Sequence, residues 1–295
     1  MKADTLVRDL ATRFRLTKRP RSWAGDCPAC GYPRAFSIRV GKTGRPSLYC
    51  ANGCSRKVLD DEAGRAMGHD WTPRPLPDTS AEQAMRERKQ DAALRLLAGS
   101  TACSATNPAG RYLKRRGLAH LIGCETLRYR DDCPHPEGGT LPALVAAISD
   151  VAGRPLAIHR TYLERNGHKA SVDPVKASLG PVWGGAIRLG PIAAELVIGE
   201  GIETAASAGL LLSLPAWAAI SAGNMATGLV LPPDVRAVVI AADSDPPGRA
   251  AAAAASARWQ AEGRRVRIAT PNNAGQDFND LLQDGALAAV EAAHG

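Results

Sequence analysis

The sequence contains no uninterrupted apolar run of the roughly 18 residues that a membrane-spanning helix needs. Its first residues, MKADTLVRDLATRF, have charges spread too evenly for a secretory signal peptide. We therefore expect a cytoplasmic protein with no membrane partner. The seven cysteines are an odd number, so metal ligands or free thiols are expected in place of a disulfide framework.

Acidic residues are outnumbered in the first two thirds of the chain and predominate only in the last third. Residues 1–72 contain 14 Lys and Arg against 7 Asp and Glu, and residues 73–190 contain 17 against 11. Residues 191–295 reverse this, with 6 against 11. A polyanion held by the basic part and presented to metal in the acidic part would explain the division. The alternative is that these are ordinary solvated charged faces.

Four of the cysteines form two pairs with the spacing of metal ligands. Two residues separate Cys27 from Cys30, three separate Cys50 from Cys54, and nineteen lie between the pairs. Alternating residues predict strands over 34–40 and 47–49, joined by a Gly-Lys-Thr-Gly turn. Four thiolates at this spacing suit a closed, structural zinc site. A redox Cys-x-x-Cys pair would leave the second pair of cysteines unexplained.

Basic and aromatic residues surround these cysteines. This combination favours binding of single-stranded nucleic acid, with charges on phosphates and rings on bases. We expect Arg34 and Arg39 to contact the nucleic acid. The alternative for the aromatic residues is a small core, which we expect for Phe36. The full set comprises Arg34, Arg39, Lys42, Arg45, Arg56 and Lys57, with Tyr32, Phe36 and Tyr49 between them.

Two apolar runs, within 196–208 and 238–250, end in acidic residues. Glu200 follows the first run, and Asp243 and Asp245 follow the second. Such runs are typical of strands buried on both faces of a parallel sheet, and each continues through glycine into an alanine-rich helix. Ligands bind at the carboxyl ends of such strands, so the three carboxylates should converge there. With no lysine nearby to compete, we expect a hard divalent cation, and magnesium is the expected ion.

A Glu-Gly after one strand and an Asp-x-Asp after a later one resemble the Toprim domain of bacterial-type primases, topoisomerases, some nucleases and recombination mediators. The segment GEGIETAASA is similar to Toprim proteins of phages and mobile elements. The resemblance implies catalysis with Mg²⁺ or Mn²⁺ on Glu200, Asp243 and Asp245. The family acid expected four residues after the first Glu is replaced by Thr204, and whether the adjacent Glu203 takes its role stays open.

Three further segments resemble parts of the primase family. NAGQDFNDLL is similar to the last acidic motif, which implies a second metal on Asp277 and Asp280; the alternative is that Asp277 or Asn279 caps the final helix. YLKRRGL, residues 112–118, is similar to the opening of the primase core. Residues 141–190 resemble its smaller subdomain, which implies that His159, Arg160 and Lys176 face the cleft and hold nucleotide phosphates or template. For His159 the alternative is a hydrogen-bonded strand residue.

The predicted fold is an α/β Toprim domain, a parallel sheet flanked by helices, preceded by a mixed α+β subdomain and an N-terminal zinc ribbon. We assign the ribbon to 1–71, a linker to 72–80, the N-terminal subdomain of a primase core to 81–190 and the Toprim domain to 191–295. Helices are predicted over 1–20 and 81–99 and from Asn107 onward, and strands over 143–148 and 155–161.

The predicted function is DNA primase: divalent-metal-dependent synthesis of short RNA primers from ribonucleoside triphosphates on single-stranded DNA, in phage, plasmid or mobile-element replication. The chain lacks a P-loop, so a replicative helicase would be a separate partner. The alternatives are a Toprim nuclease and a non-catalytic single-strand-binding or recombination mediator protein. Cys103, Cys124 and Cys133 have no regular spacing and are expected to be free thiols; the alternative is a further metal site formed with His120 and His135.

Overall fold

The computed structural model describes residues 3–41, 45–51, 54, 56–68, 79–271 and 275–285. The chain divides into two compact units, Met1–Glu82 and Gln83–Gly295. The linker predicted at 72–80 lies largely outside the described residues, and the division into domains stays a prediction. None of the described helices combines the length and apolar character required to span a membrane.

The described residues before Gly68 in the N-terminal unit form a four-stranded antiparallel sheet with order β1-β2-β3-β4, together with two helices. Its core contains the fully buried Leu10, Phe36 and Ile38, which confirms the core position predicted for Phe36. The Gly-Lys-Thr-Gly turn includes residues 42–44, which are outside the described part. The elements are α1 (Ala3–Arg13), β1 (Thr17–Lys18), β2 (Trp23–Gly25), β3 (Phe36–Val40), β4 (Pro46–Cys50) and α2 (Arg56–Met67).

The first helix is shorter than the predicted 1–20, and that prediction was wrong at its C-terminal end. Arg15 adopts a left-handed conformation with φ 53°, and the Leu16 N–H donates to the Ala11 carbonyl at 2.8 Å. This pattern is a left-handed helix cap. The chain then reverses early enough for Thr17–Lys18 to pair with Trp23–Gly25.

The second unit contains two five-stranded sheets and the helices that cover them. The first sheet is antiparallel, with order β5-β6-β7-β8-β9, and the second has order β10-β12-β11-β13-β14. The elements are α3 (Thr79–Ala98), β5 (Thr101–Ala102), α4 (Pro108–Arg115), β6 (Leu127–Pro134), β7 (Thr140–Ser149), β8 (Pro155–Tyr162), β9 (Lys176–Leu179), β10 (Ile187–Arg188), β11 (Glu195–Gly199), α5 (Ile202–Leu212), β12 (Ala216–Ala218), β13 (Ala237–Ala241), α6 (Pro246–Ala261), β14 (Arg265–Ala269) and α7 (Phe278–Gln283), with a 3₁₀ turn at Ala119–Leu121 and a π-helical turn at Asn224–Gly228.

The second sheet is parallel except for its edge strand β10. The central strands β11 and β13 are buried, as their apolar runs predict, and pair from Glu195↔Ala237 to Gly199↔Ala241. They therefore end at one edge of the sheet. Gly199 permits close helix packing, because a Cβ there would lie 2.8 Å from the backbone nitrogen of Ala205 in α5.

One hydrophobic core extends across both sheets of the second unit. It includes Leu113 of α4, Leu144 of β7, Val197 of β11 and Val239 of β13. This packing fixes the antiparallel sheet and α4 relative to the carboxyl edge of the parallel sheet. The predicted fold class, a parallel sheet flanked by helices that follows a mixed α+β part, agrees with these two sheets.

Candidate active site

A cavity of about 310 Å³ lies at the carboxyl edge of the parallel sheet. Its wall combines carboxylates that follow the sheet strands with basic residues from the antiparallel part of the unit. Close juxtaposition of both charges in one concave site is typical of a binding or catalytic centre. The charged and titratable lining residues are Glu200, Glu203, Asp243 and Asp277 with Arg116, His159, Lys169 and Lys176.

Asp243 lies directly after β13 and accepts a hydrogen bond from the Thr204 hydroxyl, Oγ1 to Oδ1 at 3.3 Å. Burial and the negative charges of Asp245 and Asp277 raise the Asp243 pKa. The three carboxylates therefore repel one another electrostatically at this edge of the sheet. A divalent cation would relieve this concentration of negative charge, so the residues fit such an ion.

The carboxylates are close without forming a complete cage. Within the part of the chain that the structure describes, only the cysteine cluster brings three or more potential ligand atoms within 4.8 Å of one another. Mg²⁺ is usually held by one or two carboxylates together with water and substrate phosphates. The arrangement around Asp243 therefore fits a divalent cation whose coordination is completed by water and substrate oxygens.

The Glu200 backbone is held by an unusual conformation in the neighbouring loop. Ile220 lines the cavity, has φ 76°, and its N–H donates to the Glu200 carbonyl at 2.8 Å. A β-branched residue in the left-handed region is strained, and such residues concentrate at functional sites. This hydrogen bond extends the pairing of β11 and β12 into the loops that follow them. It therefore fixes the position of the Glu200 backbone at the start of its loop.

The four paired cysteines form a compact cluster in the N-terminal unit. The Cys27 and Cys54 sulfurs are 3.8 Å apart, and those of Cys30 and Cys50 are 3.9 Å apart. Four sulfurs bound tetrahedrally at Zn–S distances of about 2.3 Å would lie about 3.8 Å from one another. The cluster therefore has the spacing of a tetrahedral metal site. All seven cysteines are free of disulfides, as expected for Cys103, Cys124 and Cys133.

Residues 195–287 match the family model of the Toprim domain, and residues 87–189 match that of a domain of unknown function, DUF7146. The chain contains a Toprim domain. The match includes all the predicted acidic residues, and it confirms the resemblance carried by GEGIETAASA and the Asp-x-Asp motif. The basic residues of the cavity wall, in contrast, lie before the Toprim domain.

Several solved structures are similar to this chain, among them three primase structures. A DNA primase domain from Pseudomonas aeruginosa is 17% identical with a TM-score of 0.46, covering 69% of this chain and 79% of that chain. The primase fragment of the bacteriophage T7 primase-helicase protein is 15% identical with a TM-score of 0.42, covering 90% and 95%. The Aquifex aeolicus primase, with zinc binding and RNA polymerase domains, is 16% identical with a TM-score of 0.45, covering 97% and 82%. No curated protein matches the chain.

Asp245 and Asp277 of the Toprim domain both cap helices. Asp245 is exposed and outside the cavity lining, and its Oδ1 accepts the Gly248 N–H of α6 at 2.7 Å. Asp277 caps α7, where its Oδ1 accepts the Asp280 N–H at 2.8 Å and Asp280 Oδ2 accepts the Asp277 N–H at 3.1 Å. The capping alternative for Asp277 is thus confirmed, although Asp277 also lines the cavity.

Glu203 faces the basic wall of the Toprim cavity. It is 8% exposed, accepts the Tyr112 hydroxyl hydrogen bond, and pairs with Lys176 at 3.0 Å and Lys169 at 3.3 Å. Burial alone would raise the Glu203 pKa, but the charges of Lys176 and Lys169 hold it below its usual range. Both carboxylate oxygens have partners. The expectation that no lysine lies near the three predicted metal ligands was wrong, because Lys176 lines the same cavity and its charge partly offsets the rise in the Asp243 pKa.

His159 and Arg160 point to opposite faces of β8, as consecutive strand residues do. His159 lines the cavity with Nδ1 3.0 Å from the Ser178 hydroxyl, and burial and Lys176 lower its pKa to about 3. Arg160 is 5% exposed and donates to the carbonyls of Pro134, Ala177 and Ser178. The expectation that Arg160 faces the cleft was wrong; it ties β8 to its neighbouring segments.

Sequence reasoning did not select Arg116 and Lys169 as site residues. Helix α4 begins as predicted, with Asn107 accepting the Gly110 N–H at 3.0 Å and Pro108 in the first turn. Arg116 follows this helix, lines the cavity and donates to Asn279 Oδ1 at 3.2 Å. Its position four residues after the inward-facing Tyr112 was a usable signal, because residues four apart share a helix face.

Arg34 and Arg39 lie in the N-terminal unit and are exposed. The Arg34 backbone N–H donates to Asp26 Oδ1 at 2.9 Å. Arg39 and Tyr49 alternate with the core residues of β3 and β4, and Tyr49 is 61% exposed. The sheet therefore presents a cation and an aromatic ring on its solvent-facing side.

Proposed function

We propose that this protein is a DNA primase, which joins ribonucleotides on a single-stranded DNA template with a divalent cation. The observation that carries the proposal is the mixed charge of one cavity. Toprim carboxylates that fit a metal face Arg116, Lys169 and Lys176, which suit the phosphates of a nucleoside triphosphate. An active site that only hydrolyses a phosphodiester needs the acids and a water molecule. It needs no set of basic side chains to bind three phosphates.

In the proposed reaction Glu200, Asp243 and Asp277 would hold Mg²⁺ or Mn²⁺, with Asp245 nearby in support. The bound cation would stabilise charge on the triphosphate and on the leaving pyrophosphate. The primer 3′-oxygen forms a bond to the α-phosphorus while the bond to pyrophosphate breaks. Glu200, beside the metal, would accept the proton of the 3′-hydroxyl as a general base. The lysines neutralise the phosphate oxygens, and neutral His159 orients them by hydrogen bonding.

The N-terminal unit is proposed to bind the template. Its four-cysteine site would hold structural Zn²⁺, since all four ligand positions are filled by protein. Arg39 and Tyr49 would contact a phosphate and a base, with Arg34 as a further phosphate contact. In this proposal residues 1–71 are the zinc ribbon, 81–190 the first part of the primase core and 191–295 the Toprim domain. A separate replicative helicase is the proposed protein partner.

The test is incubation with single-stranded DNA, labelled ribonucleotides and Mg²⁺ or Mn²⁺. Short labelled products that require the template support the primase, whereas shortened DNA without synthesis identifies a nuclease. Glu200→Gln should abolish synthesis. Its matched control is Glu195→Gln, the same change at the other end of β11, where only a surface pair with Arg267 at 2.8 Å is lost. Equal loss in both variants would contradict the site assignment.

A further inference from the structure

Glu203 is a buried acid in the candidate site that faces basic side chains. It lies in the first turn of α5, three residues after the predicted metal ligand Glu200. Its partners are Tyr112, Lys169 and Lys176, so both oxygens are directed at the basic wall. Replacing two ammonium groups by a metal ion at this carboxylate would leave the lysines close together without their counter-ion, an unfavourable exchange.

The charges of the cavity wall are nearly balanced. Arg116, Lys169 and Lys176 supply three positive charges, and four carboxylates, Glu203 among them, supply four negative ones, which leaves a net charge of −1. A triphosphate entering this cavity without metal is therefore repelled overall. One bound divalent cation makes the net charge of the wall positive, so that the wall attracts the triphosphate. Without the Glu203 charge the wall would be neutral before any metal binds.

We propose that Glu203 is not a metal ligand but the counter-charge that makes triphosphate binding depend on a divalent cation. This inference rests on the proposed function, because it assumes that the cavity receives metal and triphosphate together. Coupling of this kind is reciprocal: the cation strengthens triphosphate binding by the same factor by which triphosphate strengthens cation binding. Glu203 thereby prevents the lysines from retaining a nucleotide that arrives without its metal.

The test measures binding of ATP to the full-length chain by calorimetry, in EDTA and in saturating Mg²⁺. Glu203→Gln keeps the side-chain shape and removes the charge. We expect ATP affinity in EDTA to rise about tenfold or more, since a unit charge a few ångströms away has an effect of this size in a partly buried site. The rise in Mg²⁺ should be smaller because the cation has already neutralised part of the phosphate charge. The ratio of the two affinities should therefore fall.

Three variants isolate the effect. Glu200→Gln makes the same charge change on the metal side and should lose most of the Mg²⁺-dependent gain. Glu195→Gln, outside the cavity, should leave both affinities unchanged. Lys176→Gln should act in the opposite direction to Glu203→Gln, weakening binding in EDTA more than in Mg²⁺, and it tests the proposal even if Glu203→Gln fails to fold. Thermal unfolding shows whether each variant is folded.

The outcomes separate the two proposals. If the wild-type chain binds no ATP even in Mg²⁺, both the proposed function and this inference are overturned. If wild type shows the Mg²⁺ effect but Glu203→Gln leaves the ratio unchanged, this inference alone fails. A loss of Mg²⁺-supported binding in Glu203→Gln, without any gain in EDTA, would instead make Glu203 a metal ligand.

Discussion

Replacing Asp243 by Asn changes the charge at the centre of the candidate metal site with little change in shape. Asp243 is the acid whose pKa is raised by burial and by both Asp245 and Asp277, so a negative charge is less favourable there than on an isolated carboxyl group. Removing that charge relieves repulsion, and Asn can still accept the 3.3 Å hydrogen bond from Thr204. We therefore expect the free energy of unfolding of Asp243→Asn to be no lower than that of wild type.

The effect on activity should be large. Three carboxylates other than the lysine-paired Glu203 line the cavity, and Asp243→Asn removes one of them. Metal binding supplies several kcal/mol of charge stabilisation to phosphoryl transfer, so a loss of about 100-fold or more is expected. A 100-fold loss corresponds to about 2.7 kcal/mol. The Mg²⁺ concentration for half-maximal synthesis should rise, while affinity for single-stranded DNA should not change.

The assay is primer synthesis across a Mg²⁺ series, beside single-strand binding and thermal unfolding for each variant. Asp245→Asn is the matched control: it removes an equal charge from an exposed residue outside the lining, and Asn keeps the helix cap. Its loss should be smaller, about tenfold or less. Full synthesis by Asp243→Asn would refute the metal assignment. Loss of synthesis, DNA binding and cooperative unfolding together would show misfolding instead.

Three further predictions concern other parts of the chain. Elemental analysis should find one zinc per chain, and Cys30→Ser should release it and destabilise the N-terminal unit; retained zinc would contradict the cluster assignment. Arg39→Ala should flatten the slope of log affinity for single-stranded DNA against log salt by about 0.7, and an unchanged slope would place the phosphate contact elsewhere. NMR should find His159 neutral from pH 5 to 8, because its pKa is lowered to about 3. The free energy of unfolding should then decrease as pH falls from about 6.5 towards 3, because the unfolded chain binds the proton in this range and the folded chain does not. A His159 titration near pH 6.5 would contradict the buried environment.

Local pattern predicted the elements that carry the acids. The runs before Glu200 and Asp243 are apolar at every position, and such runs are stable chiefly as strands covered on both faces. The structure places them side by side in parallel, as that pattern requires. The start of α4 at Asn107 and Pro108 and the cysteine cluster could be predicted equally well, because a helix start and a four-sulfur cluster depend on residues close in sequence.

Two consecutive residues of β8 show what the local sequence pattern does not predict. Alternation determines that His159 and Arg160 face opposite sides, but it does not determine which side faces the cavity. That depends on what packs against each face of the antiparallel sheet. The resemblance placed both residues at the cleft, and the packing places only His159 there, while Arg160 satisfies three backbone carbonyls.

The sequence by itself determined the buried strands before Glu200 and Asp243, the start of α4 at Asn107 and the cysteine cluster, since these follow from periodicity and spacing within short segments. Only the tertiary structure decided the partners of Glu203. Lys176 lies 27 residues away and Tyr112 lies 91 residues away, and no periodic signal connects positions so distant. Their meeting results from the hydrophobic core that joins the two sheets, because burial of apolar surface selects one packing of the sheets.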